Sequence, residues 1–273
     1  MNQSSAQSRE SGGHLRYILQ TMLSEAHLRE LAGELSVELK GVKGKAACVD
    51  ALISNVTLDI LRLFCVARWS APAVDQHLRN LKSGLLRGHS WHNTAPSRLH
   101  LSLQGKVRAL GASLEDLARF IEVGADIARH EYYMVAVADL CEHALVTRCD
   151  AIPAILSKSL SDLVLEGVPY DVKNVSAARG WPLGRIHANP AIFAAEMMAG
   201  ADTERVRKQA ETVQSPAPFN RMFIAVEDED IWLQQPEALL DQLVARVNAR
   251  SQPLQIAVGD RHAEVLVITL GDG

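Results

Sequence analysis

Past Asp150 the hydrophobic pattern changes period, and that change restricts the fold more than any other feature of the chain. Short apolar runs bounded by Gly and Pro appear: Ser161–Asn174 (SDLVLEGVPYDVKN), Arg221–Val226 (RMFIAV), Leu254–Val258 (LQIAV) and Ala263–Leu270 (AEVLVITL). Two helical stretches, about Pro190–Thr212 and Pro236–Ala249, fall between them. Strands alternating with helices predict an α/β domain with a mixed central sheet flanked by helices. Before Asp150 the apolar residues recur at helical spacing, as at Leu28, Leu31, Leu35 and Leu39, with Ser24 as N-cap. Helical runs are expected from His14 to about Ile60, broken at Gly41–Lys45, from Ala46 to about Arg68, over 72–87, from Leu114 behind Ser113, and over Asp126–Thr147, with a loop at Ser90–Arg98. The 273 residues thus divide into a polar lead-in (1–13), an all-α region (14–124) and an α/β region (125–273).

Composition narrows the class. Apolar residues make up 48% and charged residues 22%, which suits a globular chain and neither a disordered nor a fibrous one. No run approaches the roughly 18 apolar residues of a membrane helix, and the lead-in lacks the apolar core of a signal peptide. Four cysteines without a C-x-x-C pair argue against a disulfide scaffold and a zinc site, and a reducing cytoplasm is the expected location.

The net charge of −4 hides a division. Residues 1–130 carry 16 Lys/Arg against 12 Asp/Glu, whereas residues 131–273 carry 12 against 20. Between 60 and 110 eight basic residues, among them Arg62, Arg68, Arg79, Lys82, Arg87 and Arg98, accompany one acid, Asp75. A basic stretch of this kind suits contact with phosphates, and Arg79, Lys82, Arg87 and Arg98 are its candidates.

The segment Ser161–Asn174 carries the chemistry. If Glu166-Gly167 is a two-residue hairpin loop, Leu165 faces Val168, Leu163 faces Tyr170 and Asp162 faces Asp171. Opposed like charges lie about 5 Å apart and destabilise a sheet unless something compensates them. A Mg²⁺ ion, held through one or two carboxylates with water and phosphate oxygens, would do so, and Mn²⁺ would substitute. Lys173 falls on the Asp171 side of its strand, where an ammonium could orient a water. A type I′ turn wants φ > 0 at both central residues, which Glu166 disfavours, so a bulge could displace Asp162 while leaving Asp171 and Lys173 together. Upstream, Glu142 sits beside an apolar helical stripe with Ala138, Leu145 and Val146, where an unpaired carboxylate is costly.

This arrangement resembles the PD-(D/E)XK superfamily, the fold of many restriction endonucleases and archaeal-type Holliday junction resolvases. The resemblance covers about residues 125–230. It implies that Asp162 and Asp171 are metal ligands, Lys173 the catalytic lysine and Glu142 the helix-borne acid, with Lys208 and Gln209 as auxiliary candidates. Ser161 stands where the name-giving proline would be. The sequence Leu23–Ser54 looks like a SAP-type helical DNA-binding module, in which Lys43 and Lys45 of the GVKGK turn would contact phosphates. The expectation is a Mg²⁺-dependent endodeoxyribonuclease acting on double-stranded DNA as a homodimer, of restriction or defence type. The alternatives are a junction-resolving or repair nuclease and a DNA-binding adaptor that does not cut.

Several residues are expected to be structural. The histidines lack ligand spacing, and His143 should point away from the Glu142 site. Glu227–Asp230 should form a solvated turn capping the next helix. Trp69, Trp91, Trp181 and Trp232 are expected to pack, and Trp91 is the one to test against DNA.

Overall fold

The computed structural model describes residues 14–84, 86, 132–156, 159, 161–176, 181–199, 204–213, 217–228, 230–250 and 252–271. The lead-in, the expected loop at 90–98, the expected helix from Leu114, Trp91, Arg87 and Arg98 lie outside these residues, as does the boundary near 125.

The architecture is α/β, built on an open six-stranded mixed sheet in the order β1-β2-β3-β4-β6-β5. The strands are β1 (Ile152–Pro153), β2 (Leu163–Leu165), β3 (Val168–Ser176), β4 (Arg221–Val226), β5 (Leu254–Val258) and β6 (Arg261–Leu270). β1, β2 and β3 form an antiparallel meander; β3, β4 and β6 run parallel; β5 returns antiparallel along β6. The apolar runs at 221–226 and 254–258 are strands to the residue, because Gly, Pro and charged residues bound them sharply.

The hairpin follows the pairing read from the sequence, with Leu163 opposite Tyr170, Val164 opposite Pro169 and Leu165 opposite Val168. The feared bulge does not form at the turn. Glu166 accepts φ +50° and Gly167 φ +86°, so the two-residue turn closes with a non-glycine residue in the left-handed region.

On one face, Tyr170, Met222, Ile224, Leu266 and Ile268 pack against the helix spanning 132–148 and against the helix Pro236–Asn248. On the other, Val175, Phe223, Ala225 and Val265 pack against the helices Leu183–Ala188, Pro190–Met198 and Glu204–Val213. Alternate residues of each strand therefore serve different layers. The expected helix over 190–212 is two helices.

The N-terminal helices span 14–21, Glu25–Glu34, Lys45–Leu52, Leu58–Arg68 and Val74–Lys82. Ser24 caps the second, accepting the His27 amide at 3.0 Å. The expected continuous helix from Ala46 to Arg68 is interrupted, because Thr57 takes an extended conformation and caps a new helix by accepting the Ile60 amide. These helices are not insulated from the sheet: Leu19, Leu28, Phe64 and their neighbours form one core with Ile152, Val164 and Ala217. Among the described residues no helix is long and apolar enough to cross a membrane. Cys48, Cys65, Cys141 and Cys149 are free thiols.

Candidate functional site

The β2–β3 ladder ends just where the acidic residues begin. The Asp162 amide donates to the Tyr170 carbonyl at 2.8 Å, and the next donor on β3, the Val172 amide, finds the Asp162 carboxylate instead of a backbone carbonyl, at 2.7 Å from Oδ2. A side chain thus extends the ladder by one rung. This fixes the Asp162 carboxyl beside Asp171, near enough for the two charges to repel.

Burial raises the Asp162 carboxyl first, and the neighbouring Asp171 charge adds to it, while the Val172 amide and Lys173 oppose them. The outcome is a carboxyl pushed up to about 6.

Asp171 is held on both oxygens. Lys173 Nζ lies 2.5 Å from Oδ1 and Arg221 Nε lies 3.3 Å from Oδ2. Lys173 reaches it because β3 puts residues 171 and 173 on one face; Arg221 reaches it because the parallel register sets Arg221 directly beside Asp171. The Arg221 side chain is only 8% exposed, and its Nη1 donates to the carbonyls of Pro218 and Asn220. Sequence reasoning missed this residue. An arginine opening the otherwise apolar strand RMFIAV was the available signal, since a cation there must find a carboxylate on the adjoining strand.

Glu142 lies on the helix 132–148, half-buried, with Leu145 and Val146 buried and Ala138 exposed. Its Oε1 accepts a hydrogen bond from Trp69 Nε1 at 3.2 Å. Burial above all, then the Asp162 charge and more weakly Asp139, raise its carboxyl, the Trp69 bond opposes them, and the outcome is a carboxyl pushed up to about 7. It is therefore near enough to Asp162 for the two charges to interact. His143 does take part in the same corner, against expectation: its ring stacks on Trp69 with centroids 5.9 Å apart.

Asp162, Asp171 and Lys173 thus come together, joined by Arg221, with Glu142 beyond. Among the described residues no three His, Cys, Asp or Glu side chains are grouped so as to hold a metal ion. The donor set that does exist, two neighbouring carboxylates, suits a hard cation retaining several waters and does not form a three-carboxylate cage.

The remaining candidates lie elsewhere. Lys43 is exposed, and Lys45 opens its helix behind Gly44 (φ +83°) with its ammonium lowered by burial. Arg79 donates to Gln76 Oε1 at 3.0 Å, and Lys82 pairs with Glu237. The basic stretch is less bare than its local sequence implies: Arg62 pairs with Asp150 at 2.6 Å, and Arg68 with Glu30 and Glu34. Lys208 is exposed and pairs with Glu204 at 2.8 Å, one helical turn away; Gln209 belongs to the same helix. Glu227 caps an earlier helix and not the next one, its Oε2 accepting the Leu183 amide at 3.0 Å. Trp181 and Trp232 pack as expected, Trp232 at 1% exposure. Compared with protein-family models, curated proteins and solved structures, the chain has no match.

Proposed function

We propose that this protein is a metal-dependent endodeoxyribonuclease built on a restriction-endonuclease-like core, with the N-terminal region 14–124 holding double-stranded DNA. The observation that carries the proposal is the juxtaposition of Asp162, held by the Val172 amide, with Asp171, held by Arg221, and with Lys173 on the same face. Two half-buried neighbouring carboxylates repel each other, and a shared cation would relieve the charge on Asp162 that Lys173 and Arg221, paired with Asp171, leave in place.

Asp162 and Asp171 would hold Mg²⁺, which when bound supplies an acidified water and a counter-charge for the scissile phosphate. The chain's own residues do the rest. The Val172 amide fixes Asp162, and Arg221 fixes Asp171, so both oxygens are oriented before the cation arrives. Lys173 is half exposed on a flexible stem, and by leaving Asp171 Oδ1 its ammonium could turn toward a water beside the phosphate. Glu142, with a carboxyl near 7, can take up or release a proton close to neutral pH. Lys43, Lys45, Arg79 and Lys82 are the described candidates for phosphate contacts. A homodimer, placing one site on each DNA strand, completes the reading, whether the substrate is a linear duplex or a junction.

A second reading has its own support: both Asp171 oxygens are already neutralised by Lys173 and Arg221, which suits an adaptor that binds DNA without cutting it. Supercoiled plasmid separates the two. The nuclease nicks or linearises it with Mg²⁺ or Mn²⁺ and not in EDTA, and Asp171→Ala and Lys173→Ala abolish cutting while retaining DNA binding. Unaltered cutting by both variants would remove the site, and binding without any cation-dependent cutting would leave the adaptor.

A further inference from the structure

Away from the acidic site a cavity of about 360 Å³ opens along one edge of the sheet, and it shares no residue with Glu142, Asp162, Asp171 or Lys173. Its origin is a mismatch of strand lengths. β5 last faces β6 at Leu254–Val265, whereas β6 continues to Leu270. The two-residue turn between Val258 and Arg261 makes that pair hydrogen-bonded. Alternation from it turns the backbone groups of Val267 and Thr269 outward, past the end of β5.

Side chains from both faces converge on this edge. Arg246 belongs to the helix Pro236–Asn248, which packs on one face of the sheet, yet its Nη1 donates at 3.3 Å to the hydroxyl of Thr269, whose strand position places it on the other face. His187, from the helix on that second face, brings Nε2 to 3.0 Å from the same hydroxyl. Thr269 is 4% exposed. Arg250 also lines the cavity, its guanidinium paired with Glu166 at 2.7 Å, and among the described lining residues there is no Asp or Glu. Arg246 lines it beside the Thr269 hydroxyl and the His187 ring. The remaining wall is largely aliphatic, with Leu254, Val265 and Val267.

Two occupants can be weighed. An added β-strand would pair with Val267 and Thr269, but Arg246 lies across that edge, the usual device for preventing such pairing. A guanidinium fork beside an imidazole and outward-facing amides instead matches an oxyanion. The volume falls in the range of small-molecule pockets with a few convergent polar groups, and the aliphatic wall leaves room for an organic body. We infer that the cavity binds a small organic oxyanion, a carboxylate or phosphate monoester whose charged group faces Arg246 and His187 and whose body lies on Leu254 and Val267.

The inference goes beyond the proposed nuclease and does not rest on it. Its test follows the Val267 and Thr269 amides by ¹H–¹⁵N NMR during titration with adenosine monophosphate, hexanoate or inorganic phosphate. An organic probe should shift both amides saturably, with whichever of the two binds naming the headgroup. Affinity should fall at least tenfold in Arg246→Gln and in His187→Gln, and should persist in Asp171→Asn, which separates this cavity from the acidic site. No saturable shift with either organic probe overturns the inference, as does undiminished affinity in both cavity variants.

Discussion

The Val172 amide donates to Asp162 Oδ2 at 2.7 Å, so a carboxylate does the work of a backbone carbonyl at the end of the β2–β3 ladder. The same carboxyl lies beside Asp171 and is pushed up to about 6, chiefly by burial, from an ordinary 3.8. One side chain thus carries two demands in tension: it must remain an acceptor for the sheet, and its charge is unwelcome beside a second aspartate.

Asparagine and alanine separate those demands. In the folded chain Asp162 binds its proton below about 6, and in the unfolded chain below about 3.8, so its contribution to stability is greatest below pH 4 and is lost as pH rises through 4 to 6. Asp162→Asn keeps an acceptor for Val172 and removes the charge. Its melting temperature at pH 8 should exceed that of the parent by the equivalent of about 1–3 kcal/mol, with no gain at pH 4. Asp162→Ala also relieves the charge but strands the Val172 amide, which costs about 1–3 kcal/mol, so alanine should give less stabilisation than asparagine at pH 8. Melting curves of the three proteins at both pH values check this. A lower melting temperature for the asparagine variant at pH 8 would contradict the buried-charge account.

Glu142 makes a second prediction through the same sign. Its carboxyl stands at about 7 against an ordinary 4.5, chiefly through burial. Plasmid cutting should therefore rise with pH as Asp162 and then Glu142 lose their protons, with an inflection near 7. In Glu142→Gln that upper inflection should disappear while the one near 6 remains. Trp69→Phe removes the hydrogen bond that favours the ionised carboxyl, and should move the inflection above 7. The readout is the pH profile at Mg²⁺ well below saturation, because a saturating cation would displace the Asp162 proton and erase the inflection near 6.

Cation binding should appear as stability. A ligand held only by the folded state adds RT ln(1 + [L]/Kd), about 2.7 kcal/mol at a hundredfold excess over Kd. Mg²⁺ or Mn²⁺ should raise the melting temperature at pH 8, and Asp171→Asn should abolish the rise. Below pH 5 the rise should shrink even in the parent protein, because Asp162 is protonated there and must release its proton to bind a cation.

The turn that sets the register carries strain that can be tested alone. Gly167 has φ +86°, and a Cβ there would stand 3.0 Å from Leu58 Cδ1. Gly167→Ala should cost roughly 1–2 kcal/mol, more than a surface change usually does. Glu166 also sits at φ +50°, a conformation that asparagine tolerates better. Its ion pair with Arg250 is exposed on the Glu166 side (78%) but not on the Arg250 side (12%), so the comparison is made in an Arg250→Gln background, where that pair is already gone. Glu166→Asn should therefore gain a few tenths of a kcal/mol. Urea midpoints at constant m-value provide both numbers.

The hairpin shows why part of the site was legible and part was not. Once Glu166-Gly167 is taken as a two-residue turn, period-2 geometry dictates every partner from Leu165–Val168 outward, and Asp171 and Lys173 share a face whatever else happens. The side-chain rung at Asp162 lies one residue past the ladder, where backbone periodicity no longer specifies the contact. Arg221 is fifty residues from Asp171 along the chain, and only the β3–β4 register joins them. The break at Thr57 was readable in principle, since a threonine ahead of an acidic first turn is a capping signal inside an apolar helical pattern. β1, two residues long and containing Pro153, has no periodicity to read.

Local charge counts were the least reliable guide, and they lead to the last prediction. The basic stretch from 60 to 110 has one acid in sequence, but in space Lys82 meets Glu237 from the far end of the chain. Both side chains are exposed, so the pair is weakly bound and open to exchange for a DNA phosphate. If Lys82 contacts DNA, Glu237 competes with the backbone for it. Glu237→Gln should then tighten binding to a random duplex severalfold at 50 mM salt, while Lys82→Gln weakens it and reduces the slope of log K against log salt by about one unit. The double variant should bind like Lys82→Gln alone, because the glutamate has nothing left to compete for. Fluorescence anisotropy across a salt series distinguishes this from a general charge effect, in which the two changes would simply add. Additivity would place Lys82 outside the DNA contact surface, and the phosphate-binding face would then rest on Lys43, Lys45 and Arg79.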